Sequence, residues 1–503
     1  MRMRRGLWIG TLIAGMAVAS PARALDGAPA DTLRLTLSEC VAQALTQGEE
    51  IRLADAEFAS VHAAYVQARS GALPRLSFST TYTRAIKSAF QESAVPSIEP
   101  FVPDSLNPDL EKRVSDLERA LPTAWLSGLG QLFSSTAFAS KNTWIASLGL
   151  TQKVLQGGSI WNAVSGAGHA LRAAESMHGD RKSEIVLQVR QAYLGALLAQ
   201  RGARIAELAL AQAGNQLERV RLRQDAGSAS EFELLQIEVQ RDNQIPMVKQ
   251  AQLVRQVADL ELRRLVNLPV HVPLALTTPL LDGAAMPARP AAVDTSGLVA
   301  AALRSPSLIA AEEMAEAYGH GVAVAAADRW PGLSLFANYS QQAYPKDAIP
   351  KRDDWVEDLN AGVRLDWTLF DGFLTKGAVE TAKARRRVAE CGLAQIREGV
   401  REAVVQSEYD LRRSAADLEA RARTVELARR AFELANIRYE EGASDLLEVA
   451  DARTAYQIAR TNEAQARHDY FVALARLERY TGLPLFTAAA PQDPPVPAGR
   501  STR

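Results

Sequence analysis

Six histidines (His62, His169, His178, His271, His320 and His468) and two cysteines (Cys40 and Cys391) are the side chains best suited to bind a metal or move a proton, and they are scattered singly along the chain. None has ligand spacing, and no H-E-x-x-H, phosphate-loop or G-x-S-x-G pattern occurs. Gly166-Ala167-Gly168 lies inside a helical pattern, so it is not a dinucleotide fingerprint. No cofactor, metal or enzymatic activity is expected. Both cysteines sit in helical patterns; two buried thiols packing as small apolar groups is favoured over an exported disulfide. Carboxylates remain. Glu448 and Asp451 are three apart, which on a helix places them on one face. Carboxylates so grouped repel one another and attract cations, although solvated surface charge is the ordinary use of such a pair. The net charge is -1 and the charges are spread along the chain, unlike the clustered basic footprint of a nucleic-acid binder.

The elements that would position these residues occur twice. Trp144 to Leu155 reads as a strand running into Gln156-Gly157-Gly158 and a long helix, and Leu359 to Phe370 as a strand running into Asp371-Gly372 and another. The halves keep a constant offset of about 215 positions, pairing Gly157 with Gly372, Gly227 with Gly442 and Glu233 with Glu448. Thr36-Leu37-Ser38-Glu39 is a capping box opening a helix through Leu45; a second helix spans Glu49 to Gly71, and Leu76, Phe78, Thr80 and Tyr82 then alternate as a strand. The repeat supplies Leu333, Leu335, Ala337 and Tyr339. Trp144, Ala146, Leu148 and Leu150 face one way, as do Leu359, Ala361, Val363, Leu365, Trp367 and Leu369; Arg364, Asp366 and Thr368 face the other. A strand of about ten residues with one apolar face suits a membrane β-barrel. A half-buried soluble hairpin has the same alternation, but the amino terminus and the flanking helices favour the membrane.

That terminus, residues 1–24, reads as a cleaved signal peptide: basic Met1-Arg2-Met3-Arg4-Arg5, an apolar run and Ala22-Arg23-Ala24. The apolar run of about 15 residues is short for a spanning anchor. The first repeat occupies 25–266, with a long outward-facing loop over 83–143 that holds a short charged helix, Glu111 to Ala120, and a helical hairpin over 159–266. A Pro-rich connector covers 267–296. The second repeat follows over 297–482, with its hairpin over 373–481; the tail, 483–503, reads as disordered. Helices of some 66 residues reach on the order of 100 Å. Ala452, Tyr456, Ala459, Glu463, Ala466, Tyr470, Ala473, Leu477 and Tyr480 step by four and three as a coiled-coil seam, which Glu463 interrupts; Pro246 is expected to kink the first return helix. The fold class is mixed α+β: a coiled-coil helical barrel joined to an oligomeric transmembrane β-barrel with four strands per chain. Open edges are not tolerated in lipid and bacterial barrels begin at about eight strands, so at least two chains must combine.

In this order and with this duplication, Arg438-Tyr439-Glu440-Glu441-Gly442, Leu447-Glu448-Val449-Ala450-Asp451-Ala452, Trp367-Thr368-Leu369-Phe370-Asp371-Gly372, Ala302-Leu303-Arg304-Ser305-Pro306-Ser307-Leu308 and Tyr480-Thr481-Gly482-Leu483 resemble the TolC-like outer-membrane efflux proteins over essentially the whole mature region. The resemblance implies a homotrimer in the outer membrane of a Gram-negative cell, embedded in lipid and continued by a periplasmic helical tunnel with an equatorial belt. It also implies a periplasmic adaptor and an inner-membrane pump as partners. It assigns Glu448 and Asp451 to acidic rings at the periplasmic entrance, Tyr439 and Glu233 to the gate, and Gly227 and Gly442 to the tips where the adaptor docks. The gate arginine of some members is replaced here by Ser444. The competing readings are a periplasmic coiled-coil adaptor with no pore of its own and a diffusion porin. The duplicated strands oppose the first and the long helices the second.

Overall fold

The structure is a computed structural model and describes residues 33–86, 101–103, 105–106, 108–135, 141–278, 281, 294–345 and 347–486. Residues 1–24, expected to form a signal peptide, much of the Pro-rich stretch 267–296 and most of 483–503 lie outside the described residues. The strands are β1 (Leu33–Leu35), β2 (Arg75–Arg84), β3 (Asn142–Gln156), β4 (Leu274–Leu276), β5 (Gly332–Ala343) and β6 (Trp355–Asp366). The helices are α1 (Leu37–Gln47), α2 (Glu49–Ser70), α3 (Leu110–Ser135), α4 (Ser159–Asp225), α5 (Glu231–Val266), α6 (Thr295–Ala302), α7 (Pro306–Ala326), α8 (Leu374–Glu440) and α9 (Leu446–Thr481).

The duplication is visible in the backbone. α4 and α8 are each 67 residues long, and α5 and α9 each 36. Among the described residues, every left-handed backbone position falls into a repeat pair: Gly157 with Gly372, Gly158 with Phe373, Gly227 with Gly442, and Asn267 with Gly482. The first two pairs turn each strand into its long helix. The third turns each hairpin, and the last ends each return helix, where a residue with positive φ closes the final turn. Thr36 caps α1 as a capping box: its Oγ1 accepts from the Glu39 amide at 3.2 Å, and the Glu39 carboxylate accepts from the Thr36 amide at 2.8 Å.

β2, β3, β5 and β6 form one antiparallel sheet in that order, leaving β2 and β6 as edges. The register lines up Leu76, Leu150, Ala337 and Ala361 across all four strands, and likewise Phe78, Leu148, Tyr339 and Leu359. The opposite face carries Ser77, Gly149, Asn338 and Asn360. There Phe336 lies over Gly362, where an added Cβ would stand 2.9 Å from the ring, and the Arg364 guanidinium approaches the same ring. One face is therefore apolar and exposed while the other is polar, the arrangement of a barrel with lipid outside and a wet interior. Aromatic residues mark both ends. Tyr82, Trp144 and Trp355 stand at the end far from the helices; Trp161, Trp330, Trp367, Phe370 and Phe373 stand exposed where strands become helices.

Below the sheet, α2 and α7 flank the upper part of the long helices, and α5 and α9 return along the lower part. A belt crosses the middle. β1 pairs in parallel with β4, and Tyr193 of α4 pins the pair by donating to the Leu35 carbonyl and accepting from the Thr278 amide. The main core lies here, with Tyr193, Leu194, Phe471, Leu474, Leu281 and Phe486 all fully buried. No helix among the described residues is long and apolar enough to cross a membrane.

Three expectations are corrected. β6 begins at Trp355 and ends at Asp366, so Trp367 and Leu369 lie past the strand; Trp367 donates to the Arg329 carbonyl instead. β5 begins at Gly332, whose partner is Asp366, and Pro331 before it has no N–H to extend the ladder. The loop helix is 26 residues long and continues through Pro122. α5 carries Pro246 within its 36 residues. Cys40 is buried, and burial pushes its thiol up to about 12, but Cys391 is exposed on α8.

Candidate functional site

The two hairpin tips are built alike. At the end of α4 the Gly227 amide donates to the Gln224 carbonyl and the Ser228 amide to the Arg223 carbonyl, each at 2.8 Å. At the end of α8 the Gly442 amide donates to the Tyr439 carbonyl at 3.1 Å and the Ala443 amide to the Arg438 carbonyl at 2.8 Å. Gly227 and Gly442 have φ of +72° and +75° with open space where a side chain would stand. The return helices are capped by Ser230, which accepts from the Glu233 amide, and Asp445, which accepts from the Glu448 amide. Glu233 and Glu448 thus occupy one position of the repeat, in the first turn of a helix whose free amides favour a carboxylate.

Their partners differ. A small apolar cluster of Leu217, Val220, Ile237 and Leu446 joins the two hairpins, and Tyr439 packs against it. From there the Tyr439 hydroxyl donates to Glu233 Oε1 at 2.5 Å and accepts from Arg223 Nη1 at 2.6 Å. The Arg223 guanidinium lies 5.3 Å from the centre of the tyrosine ring and 3.7 Å from the Glu233 carboxylate. Burial, and then the Glu233 carboxylate, push the Tyr439 phenol up to about 12, so it remains a neutral donor across the physiological range. A second contact lies above: buried Arg453 of α9 donates to Gln240 of α5 at 2.9 Å. Glu448 instead faces its own hairpin, with Arg438 Nε 3.5 Å away. Asp451 is exposed one turn further along α9.

The structure thus brings Tyr439 and Glu233 together and keeps Glu448 and Asp451 apart from them. Ser444 donates only to the neighbouring Asp445 carbonyl; the arginine at this contact is Arg223, on the other hairpin. Sequence reasoning passed over it, although Arg223 and Arg438 share a repeat position four residues before their turn glycines. The arrangement is a polar contact between two helical hairpins. No group of three or more potential metal ligands occurs among the described residues.

The family model described as outer membrane efflux protein matches residues 40–268 and 297–483. The pyoverdine export outer membrane protein OpmQ of Pseudomonas putida is 27% identical over 369 residues, covering 71% of this chain and 74% of the relative. The outer membrane protein TolC of Vibrio cholerae is 22% identical over 347 residues, covering 67% of this chain and 76% of the relative. Among solved structures, the outer-membrane channel OprN superposes with a TM-score of 0.65 at 19% identity, covering 89% of each chain.

Proposed function

The chain belongs to the outer membrane efflux protein family, and we propose that it is the trimeric exit duct of a tripartite efflux or secretion system. In this reading an inner-membrane pump and a periplasmic adaptor deliver cargo to the helical tunnel, and the β-barrel releases it outside. One observation carries the proposal: an apolar-faced sheet of four strands has two edges, β2 and β6, that are unpaired among the described residues. Lipid does not tolerate such edges, so they must join those of other copies. Three copies give a barrel of about twelve strands, above the lower limit of about eight.

On this reading 25–266 and 297–482 are the two repeats of one duct wall, with 267–296 crossing between them in the belt. Tyr439, Glu233 and Arg223 hold the entrance closed, and Glu448 and Asp451 ring it with carboxylates. The exposed turns at Gly227 and Gly442 are the adaptor's docking points. Purified trimer in a planar bilayer tests the duct: large, stable unit conductances are expected, and a protein that inserts without conducting overturns it. Crosslinking from cysteines placed at the tips, followed by co-purification of adaptor and pump, tests the partners.

A further inference from the structure

The loop between β2 and β3 is about 46 residues longer than its counterpart in the second repeat. Its helix α3 carries an apolar stripe. Leu110, Val114, Leu117, Leu121 and Trp125 recur at intervals of four, three, four and four, which sets them along one helix face. Each is between 55 and 73% exposed. Glu111, Lys112, Arg113, Asp116, Glu118 and Arg119 occupy the remaining circumference of the same turns. Exposed apolar area of this kind on a helix calls for a partner.

We propose that α3 lies flat on the outer leaflet of the membrane that holds the barrel, with this stripe in the acyl-chain boundary. The proposal rests on the reading of the sheet's apolar face as lipid-facing. Leucines and a tryptophan on one face, with mixed charges including Lys112, Arg113 and Arg119 on the other, are the make-up of an interfacial helix. The tether sets its height. About seven residue steps separate Ser135, the end of α3, from Asn142, the start of β3, and extended chain covers at most about 24 Å over that length. Two residues into β3, Trp144 packs against Tyr82 with ring centroids 4.7 Å apart, in the far aromatic belt. Such belts sit at the membrane surface. The end of α3 is therefore held close to that surface. The competing occupant is a second copy of the helix, with three copies bundled over the mouth. The stripe offers about two heptads before Pro122, short of the three to four that sustain a coiled-coil seam, and Trp125 steps off that seam.

The test uses the full chain with Cys40 and Cys391 changed to alanine. Single cysteines at Leu117→Cys, Leu121→Cys and Glu118→Cys carry an environment-sensitive fluorophore, and Leu148→Cys on the sheet's apolar face is the control. Trimers are reconstituted in phosphatidylcholine vesicles with or without brominated acyl chains. The expected result is quenching by brominated lipid at positions 117 and 121 several-fold stronger than at 118. Quenching at 148 but at neither 117 nor 121 overturns the inference, whether the helices crosslink to one another or stay in water. Absence of quenching at 148 as well shows that the membrane reading of the sheet has failed, and this inference with it.

Discussion

Tyr439 links the two hairpins of a chain near their tips, and its hydroxyl is used twice, as donor to Glu233 and as acceptor from Arg223. Removing the hydroxyl leaves Arg223 and Glu233 still 3.7 Å apart, so Tyr439→Phe should loosen the latch only partly. Arg223→Ala combined with Tyr439→Phe should release it. Hydrogen bonds to charged groups contribute roughly 1.5–3 kcal/mol; Arg223 is 45% exposed, so solvent screening reduces this to about 1–2 kcal/mol per chain. The expected outcome is a rise in open probability of about tenfold or more for each chain released in the double variant, read in bilayer recordings, with trimer yield unchanged. The pH dependence follows from the raised phenol. A group whose folded pKa lies above its unfolded value stabilises the closed form fully below the unfolded value, about 10, and loses that stabilisation as pH climbs through the folded value. The latch should therefore fail between pH about 10 and about 12, and Tyr439→Phe should remove that alkaline step. In the proposed entrance ring, Arg438 stands 3.5 Å from Glu448 and pairs with it rather than with Asp451. Cation selectivity and block by multivalent cations from the periplasmic side should depend more on Asp451→Ala than on Glu448→Ala, and Arg438→Ala should strengthen both. Equal effects of the two carboxylate variants on reversal potential would place the ring elsewhere.

At the scale of elements, the same turn has been built under two levels of crowding. Gly157 and Gly372 both have positive φ, +55° and +65°, and a side chain at either costs about 1–2 kcal/mol. Only at Gly157 would the added Cβ stand 2.3 Å from the Ala327 carbonyl oxygen, where backbone on both sides leaves nothing to move; at Gly372 the space is open. Gly157→Ala should therefore abolish folded trimer in membrane extracts, while Gly372→Ala should lower thermal stability modestly. The coiled-coil seam presents a second case. Buried Glu463 accepts from Arg201 at 2.6 Å and from buried Arg467 at 3.0 Å. Removing one member of such a group leaves an uncompensated charge and costs about 3–5 kcal/mol, so Glu463→Ala should lower the melting midpoint by several degrees.

These cases also show what could be read from the sequence. The hairpin lengths and the turn glycines were legible because helical period, caps and left-handed turns are local signals, each written twice. The end of β6 was not. Trp367 and Leu369 continue the alternation as interfacial residues, while the ladder stops where Pro331 ends its partner. The fate of Glu463 was hidden for a related reason, because Arg201 lies on a different helix and far away in sequence. Arg223 likewise meets Tyr439 only through tertiary packing, 216 positions apart.

For the whole molecule, the strands and the helices impose separate demands that one assembly meets. The apolar rows from Leu76 to Ala361 and from Phe78 to Leu359 stop at β2 and β6, whose outer backbone groups have no ladder partner among the described residues. From Trp355 to Trp367, β6 and its extension rise by about 40 Å, which a strand tilt near 40° projects to about 30 Å. That is the thickness of a hydrocarbon core, so the unpaired edges would lie across the whole depth of the bilayer. Unsatisfied backbone groups there cost several kcal/mol each, more in total than the 5–15 kcal/mol by which domains are stable. On the proposed reading a lone chain does not hold this sheet in a membrane, and folding of the barrel is expected to be coupled to association. Two outcomes are expected. Native mass measurement of detergent-solubilised protein should give three chains and no folded monomer. The melting midpoint should rise with protein concentration, because the associated state is favoured by mass action. A stable, folded monomer whose melting is independent of concentration would mean that β2 and β6 satisfy each other within one chain, and the duct would have to be built in another way.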